Sequence, residues 1–184
     1  RIVELKCGYP SGKAVEKPVE NLLKTKAKDE VEAFDERCRQ SISRTKNRIY
    51  ELAACNPFEW FFTGTINPQW HNSGNLNEFR KKLTQAIRDF RKKTALPVFY
   101  LLIPEQHKSG AWHVHGLLGG LPVEQLHKFS ATEHLPHRIL ERVKAHDDVY
   151  NWEYYSRKFG FTTLTPIRDK AATTAYVTKY ITKD

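Results

Sequence analysis

Two apolar stretches joined by a short polar connection constrain the fold of this chain more than any other feature of its sequence. Residues 98–103 are apolar without a break, and residues 111–118 carry apolar side chains around a pair of histidines. Both stretches have the length and composition of β-strands. Residues 107–110 between them include a glycine and suit a hairpin connection, so we expect an antiparallel sheet.

The remaining sequence predicts further strands and several helices. Residues 59–66 and 161–166 are rich in aromatic and β-branched residues, which favours strands. Apolar residues recur at helical spacing from Asp29 to the break at Pro57, as one long or two abutting helices. The other segments with helical features are 76–90, 123–129, 135–143, 152–159 with Asn151 as its N-cap, and about 169 to the end.

This order of elements predicts an α+β fold. We expect a central antiparallel sheet of about five strands with helices packed on one face, of the split βαβ, ferredoxin-like kind. The unbroken apolar run at 98–103 favours a central strand covered on both faces. A length of 184 residues favours one domain, which we assign to residues 29–184. Residues 1–28 contain two glycines and two prolines with little periodicity, so we expect an irregular arm.

The composition restricts the class of partner and compartment. Lys and Arg number 30 against 21 Asp and Glu, and the formal charge of +9 suits nucleic acid, an anionic membrane surface, or merely a soluble basic surface. Three widely spaced cysteines without a CxxC pair favour a reducing, intracellular home. No apolar run approaches the length of a membrane span. Because the chain begins with Arg1 and lacks methionine, we expect a fragment of a longer protein or a processed one.

The strand at 111–118 carries a His-x-His pair. Side chains alternate along a strand, so His113 and His115 share a face and can give two nitrogen ligands to one divalent ion. Glu105, on the other strand of the hairpin, can add an oxygen ligand, and open coordination positions at a phosphodiester favour Mg²⁺ or Mn²⁺. Hydrogen-bonded structural histidines and a cupin-like or histidine-triad site are alternatives, although a histidine triad calls for a third histidine where this chain has Leu117.

The last helix carries a second group of reactive side chains on one face. The group consists of Tyr176, Lys179, Tyr180 and Lys183, at spacings of i, i+3, i+4 and i+7. A phenol can act as a nucleophile, but its usual pKa of about 10 leaves it neutral near pH 7, so it needs a nearby cation or base. Lys179 is one turn from Tyr176. An aromatic helix edge with solvated lysines is the alternative interpretation.

Three segments together resemble, in order and spacing, the three motifs of rolling-circle replication initiators of the HUH endonuclease superfamily. The resemblance is closest to the two-tyrosine initiators of single-stranded DNA phages and related plasmids, and it covers roughly residues 47–183. The segments are Phe61-Phe62-Thr63-Gly64-Thr65, His113-Val114-His115 and Tyr176-Val177-Thr178-Lys179-Tyr180. One departure is Gly64, where relatives usually carry a larger residue.

The resemblance implies a role for each matched residue. It makes His113 and His115 ligands of Mn²⁺ or Mg²⁺, with Glu105 as the third ligand and His107 as the alternative. It makes Tyr176 the nucleophile, Lys179 the lysine beside it, and Tyr180 a second tyrosine that takes over the strand at termination. The implied reaction is nicking and rejoining of single-stranded or stem-loop origin DNA through a 5′-phosphotyrosyl intermediate with a free 3′-OH.

Partners and alternatives follow from the same comparison. Candidate DNA contacts are Arg44, Lys46 and Arg48 on the first long helix, together with Lys183. A host helicase and polymerase are expected partners, in the cytoplasm of a prokaryotic host or wherever the replicon is copied. An HUH relaxase or transposase is the nearest alternative function. A non-catalytic nucleic-acid-binding domain is the alternative from a different class.

Overall fold

An antiparallel sheet forms the centre of the fold. The computed structural model describes the backbone of residues 16–179 and the side chains of residues 30–179. The strands in this part of the chain are β1 (Trp60–Thr65), β2 (Phe99–Gln106), β3 (Trp112–Gly119), β4 (His127–Lys128), β5 (Tyr150–Asn151) and β6 (Thr162–Pro166). They lie in the order β2-β3-β1-β6-β5-β4, and each neighbouring pair is antiparallel. The predicted α+β fold is therefore confirmed, with six strands in place of about five.

The helices agree with the predicted order. Within the described residues they are α1 (Glu16–Cys55), α2 (Leu76–Thr94), a 3₁₀ turn (Val123–Gln125), α3 (His137–Lys144), α4 (Glu153–Ser156) and α5 (Lys170–Lys179). The sharpest boundaries belong to α2. The Asn75 side chain accepts a hydrogen bond from the Glu78 amide at its start, and Ala95 adopts the left-handed conformation at its end.

Three local predictions were wrong. The segment at 123–129 forms only the 3₁₀ turn before it extends into β4, which pairs with β5. Asn151 belongs to β5 and its side-chain oxygen accepts a hydrogen bond from the Thr162 hydroxyl, so it is not a helix cap. Residues 16–28 are helical rather than irregular, because Pro18 falls in the first turn of α1, where the missing N–H has no helical partner to lose.

Apolar side chains cover both faces of the sheet, whereas we expected helices on only one. On the α2 face, defined by Val114 and Leu118 of β3, these strand residues pack with the inner side of α2 and with Trp152 and Tyr155. On the opposite face, the α5 face, Leu117 and Ile103 pack with Ala53 of α1 and Val177 of α5. The end of α1 and α5 thus supply a second cover for residues that would otherwise expose apolar surface.

Strand β2 lies at the edge of the sheet rather than at its centre. Its apolar run is explained by the two covered faces. Tyr100 and Leu102 pack on the α2 face, and Leu101 and Ile103 pack on the α5 face. Cover on both faces requires helices above and below a strand, and it does not require a second neighbouring strand.

The chain divides into two compact units, Arg1–Ser43 and Arg44–Asp184. The described part of the first unit is helical, and its apolar residues Val31 and Phe34 are exposed. The second unit contains the whole sheet and both of its apolar clusters.

Gly64 in β1 leaves room for a buried tyrosine. A Cβ atom at Gly64 would lie 2.7 Å from Tyr155 Oη and 2.7 Å from Phe62 Cζ. Tyr155 is buried, donates a hydrogen bond from its hydroxyl to the Thr65 carbonyl at 3.1 Å, and meets the Phe62 ring edge-on. The departure at Gly64 therefore has a packing reason, because the Tyr155 side chain fills the space of a larger residue.

Gly64→Ala is expected to lower the free energy of unfolding by about 1–3 kcal/mol, because the added methyl group must displace two buried rings. Urea denaturation followed by circular dichroism measures this change. The matched control is Gly74→Ala, where the nearest atom to the new Cβ lies at 3.4 Å, so no loss of stability is expected. Equal losses in the two variants would show that the contact with Tyr155 is not the cause.

Candidate metal centre and active site

Strand register brings the candidate ligands together. In the β2-β3 hairpin Glu105 lies opposite His113, and Ile103 lies opposite His115. Leu117, two residues after His115, packs on the α5 face, and the intervening Val114 packs on the α2 face. Alternation along β3 therefore directs both imidazoles to the α5 face, as predicted.

The His115 ring is held through both of its nitrogens. Its Nε2 lies 2.9 Å from Glu105 Oε2, and its Nδ1 lies 3.2 Å from Thr63 Oγ1. The His115 and Glu105 side chains are 14% and 17% exposed, so this pair is shielded from solvent. A carboxylate only accepts, so His115 Nε2 donates to Glu105, whereas the Thr63 hydroxyl can donate to Nδ1 or accept from it.

His113 is only partly held. Its Nδ1 is buried and has no hydrogen-bond partner among the residues that the structure describes. The His107 ring lies against it, with 3.8 Å between ring centroids. Burial, followed by the nearby His107, lowers the pKa of His113, and the Glu105 charge opposes this shift. A lowered pKa favours the neutral imidazole, which is the form that coordinates metal ions.

The donor set suits a divalent ion in its chemistry, although its side chains do not form a ready-made cage. Among the described residues, no group of three or more His, Cys, Asp or Glu side chains is arranged to hold a metal ion. At this site Glu105 and His115 bond to each other, which engages two of the atoms that would face an ion. Two imidazoles and a carboxylate, with one buried nitrogen lacking a partner in the described part of the chain, fit a catalytic metal site in composition.

Helix α5 lies on the same sheet face as the histidine pair. Its Val177 is buried against Leu117 and Ile103, the α5-face neighbours of His115 and Glu105 along β3 and β2. The Tyr176 ring lies 5.5 Å from the Phe61 ring of β1, and Tyr176 is 47% exposed. The predicted nucleophile is thus accessible to a substrate and anchored to the strand that contacts His115.

A comparison with family models agrees with these contacts. The model of the family described as Replication-associated protein ORF2 matches residues 59–184, more than half of the chain. The chain belongs to this family. No significant match was found among curated proteins or among solved structures. Membership supports a role in replication initiation, with DNA binding, and confirms the predicted resemblance at that level.

The other predicted site residues of this family member are distributed along two helices. Lys179 is exposed on α5, three residues from Tyr176. Tyr180 and Lys183 lie outside the described residues. On α1, Arg44 and Arg48 are exposed and Lys46 is half-buried, and Arg48 forms an ion pair with Glu51 at 3.4 Å. Among the described residues, no helix is both long and apolar enough to cross a membrane.

Two residues of the site had no assigned role in the sequence analysis. Thr63 contacts His115, and Phe61 packs against Tyr176. Both belong to the aromatic strand that the sequence did predict. Their roles depend on the pairing of β1 with β3, which sets Thr63 opposite His115 across a separation of 52 residues. A resemblance at the segment was visible, but the contacts required knowledge of this pairing.

Proposed function

We propose that this replication-associated protein nicks and rejoins single-stranded origin DNA through attack of Tyr176 on a phosphodiester. His113, His115 and Glu105 would hold Mn²⁺ or Mg²⁺ beside it. The proposal is supported most by one observation: β1 contacts both the tyrosine helix, through Phe61 and Tyr176, and the histidine strand, through Thr63 and His115. The three segments that resemble initiator motifs therefore meet on one sheet face.

The first half-reaction is a transesterification that conserves the energy of the phosphodiester bond. The Tyr176 phenol loses its proton to solvent and its oxygen attacks phosphorus. The bond from phosphorus to the 3′ oxygen breaks, and that oxygen takes up a proton. The products are a 5′-phosphotyrosyl enzyme and a free 3′-OH, from which a host polymerase extends after a helicase opens the duplex. Lys179, one helical turn from Tyr176, favours the ionised phenol by its charge.

Rejoining is the reverse of this step with a new 3′-OH. Tyr180, one turn beyond Tyr176 in the sequence, is proposed to take over the strand at termination, so that each tyrosine carries one DNA end in turn. A divalent ion held by His113, His115 and Glu105 supplies charge stabilisation at the scissile phosphate. The chain's own contribution is to hold those ligands on one face, with Thr63 orienting the His115 ring.

The test of the function is a covalent adduct. The protein is incubated with Mn²⁺ and stem-loop or single-stranded oligonucleotides from its own replicon, each labelled at the 3′ end, and separated on a denaturing gel. We expect labelled DNA to migrate with the protein, because the 3′ fragment keeps the phosphotyrosyl bond. Binding without an adduct on the cognate origin would overturn the nicking proposal in favour of a non-catalytic nucleic-acid-binding domain.

Thr63→Val is expected to weaken Mn²⁺ binding roughly 10–100-fold, because it removes the hydroxyl that orients His115 and keeps the side-chain shape. Isothermal titration calorimetry measures the affinity. Thr63→Ser keeps the hydroxyl and is the control, so it should bind Mn²⁺ as the parent does. If Thr63→Ser lost as much affinity as Thr63→Val, packing in β1 rather than the hydrogen bond to His115 would be responsible.

A further inference from the structure

Helix α2 concentrates the positive charge of the chain on the sheet face opposite to the histidine pair. It contains seven Lys and Arg residues and two acidic residues, a net of +5 against +9 for the whole chain. Its apolar side is buried in the core on the α2 face. The charged side of the helix therefore projects away from the protein, where a basic surface attracts polyanions.

The charges on α2 are segregated into two flanks. At 100° per residue, one flank carries Arg80, Lys81, Arg88 and Lys92, which we call the basic flank. The other flank carries both acidic residues together with Lys82 and Lys93. There Glu78 pairs with Lys82 at 2.6 Å, and Asp89 accepts a hydrogen bond from Gln85 at 2.8 Å. The carboxylates of the helix are thus occupied on the side away from the basic flank.

The basic flank is available to an external anion. Its four side chains are exposed, and none of them forms an ion pair within the part of the chain that the structure describes. Arg80, Lys81 and Arg88 line one open cavity of about 420 Å³ together with Thr84. Lys92 continues the same flank, eleven residues and about 16 Å along the helix from Lys81.

We propose that the basic flank of α2 binds the phosphate backbone of double-stranded DNA, such as the paired stem of a stem-loop origin. The flank presents cations without exposed aromatic rings, because Phe79 and Phe90 of α2 are buried in the core. Single-strand binding surfaces combine cations with stacking rings, so this composition favours a duplex. A membrane-bound helix would need a free apolar side, and that side of α2 is packed on the sheet.

This arrangement separates two tasks between the two faces of the sheet. The α5 face carries the histidines and Tyr176, and the α2 face carries a helix suited to sequence-independent backbone contacts. The inference rests on the DNA binding of a replication-associated protein and not on the nicking chemistry. Its failure can therefore be distinguished from a failure of the proposed function.

The test compares two double variants of the same helix. Lys81→Gln with Lys92→Gln removes two charges from the basic flank, and Lys82→Gln with Lys93→Gln removes two charges from the other flank. Both variants change the same residue types by the same net charge. Binding of a fluorescent short duplex and a single strand of the same sequence is followed by anisotropy at 50 and 200 mM salt, with circular dichroism melting curves to establish folding.

The basic-flank variant should lose two phosphate contacts. With a slope of about −0.9 per contact, the rise in salt should weaken its duplex binding roughly tenfold less than it weakens that of the parent. The other variant should keep the parental salt dependence, and both should bind single strands as the parent does. Equal salt dependence in the two variants would overturn the proposal. So would an equal loss on single strands, or loss of binding to anionic vesicles in place of duplex.

Discussion

Tyr176→Phe is expected to abolish the covalent protein–DNA adduct and to lower cleavage on the order of 10³-fold or more, because it removes the attacking oxygen. Phenylalanine keeps the ring that packs 5.5 Å from Phe61, so α5 should stay in place on the sheet. The measurement is single-turnover cleavage of a labelled origin oligonucleotide with Mn²⁺. DNA binding should stay close to the parental value, since basic residues supply most of it.

Two further tyrosine variants make this result specific. Tyr50→Phe is the matched control, because Tyr50 is 48% exposed and Tyr176 is 47% exposed, and Tyr50 lies on α1. It should cleave as the parent does. Tyr180→Phe should keep the first cleavage and lose transfer of the strand at termination. If Tyr180→Phe abolished the first adduct and Tyr176→Phe did not, the order of the two nucleophiles would be reversed from that proposed.

The parts of the site that lie close together in sequence were predictable. Strand alternation is a local property, so the shared face of His113 and His115 followed from their spacing alone. The hairpin connection between β2 and β3 is equally local, and it placed Glu105 opposite His113 as expected. The spacing of Tyr176 and Lys179 in α5 likewise followed from helical periodicity.

The parts that depend on long-range packing were not predictable in the same way. The contact of Thr63 with His115 requires β1 to pair with β3, and no local signal selects that partner among the strands. The same limit explains the error over β2, whose apolar run indicated two covered faces but not its position at the edge. Cover on the α5 face comes from α1 and α5, which lie far apart in the sequence.

The role of Gly64 illustrates a third kind of limit. In the sequence it was only a departure from the motif that the segment resembles. In the structure the space beside it is filled by Tyr155, ninety-one positions later in the chain, whose hydroxyl reaches the Thr65 carbonyl. Complementary volumes of this kind involve two distant residues at once, and a single sequence contains no signal that links them.

His115→Ala is expected to lower cleavage on the order of 10³-fold and to abolish tight Mn²⁺ binding, because it removes a ligand and frees Glu105 from its partner. Single-turnover cleavage and calorimetric titration with Mn²⁺ measure the two effects. The matched control is His127→Ala, since His127 also pairs with a carboxylate, that of Glu133 at 3.1 Å, but lies on β4. It should retain both properties, and an equal loss in the two variants would contradict a special role for His115.

Metal-dependent stability separates a ligand from a structural histidine at His113 as well. Its buried Nδ1 has no partner among the described residues, and an unmade hydrogen bond in a folded protein costs stability. If that cost is kept for the sake of an ion, Mn²⁺ at a hundred times its Kd should stabilise the parent by about 2.7 kcal/mol and raise its Tm by roughly 5–10 °C. His113→Ala should lose this shift. A histidine that only packs would change Tm without metal and leave the shift caused by Mn²⁺ intact.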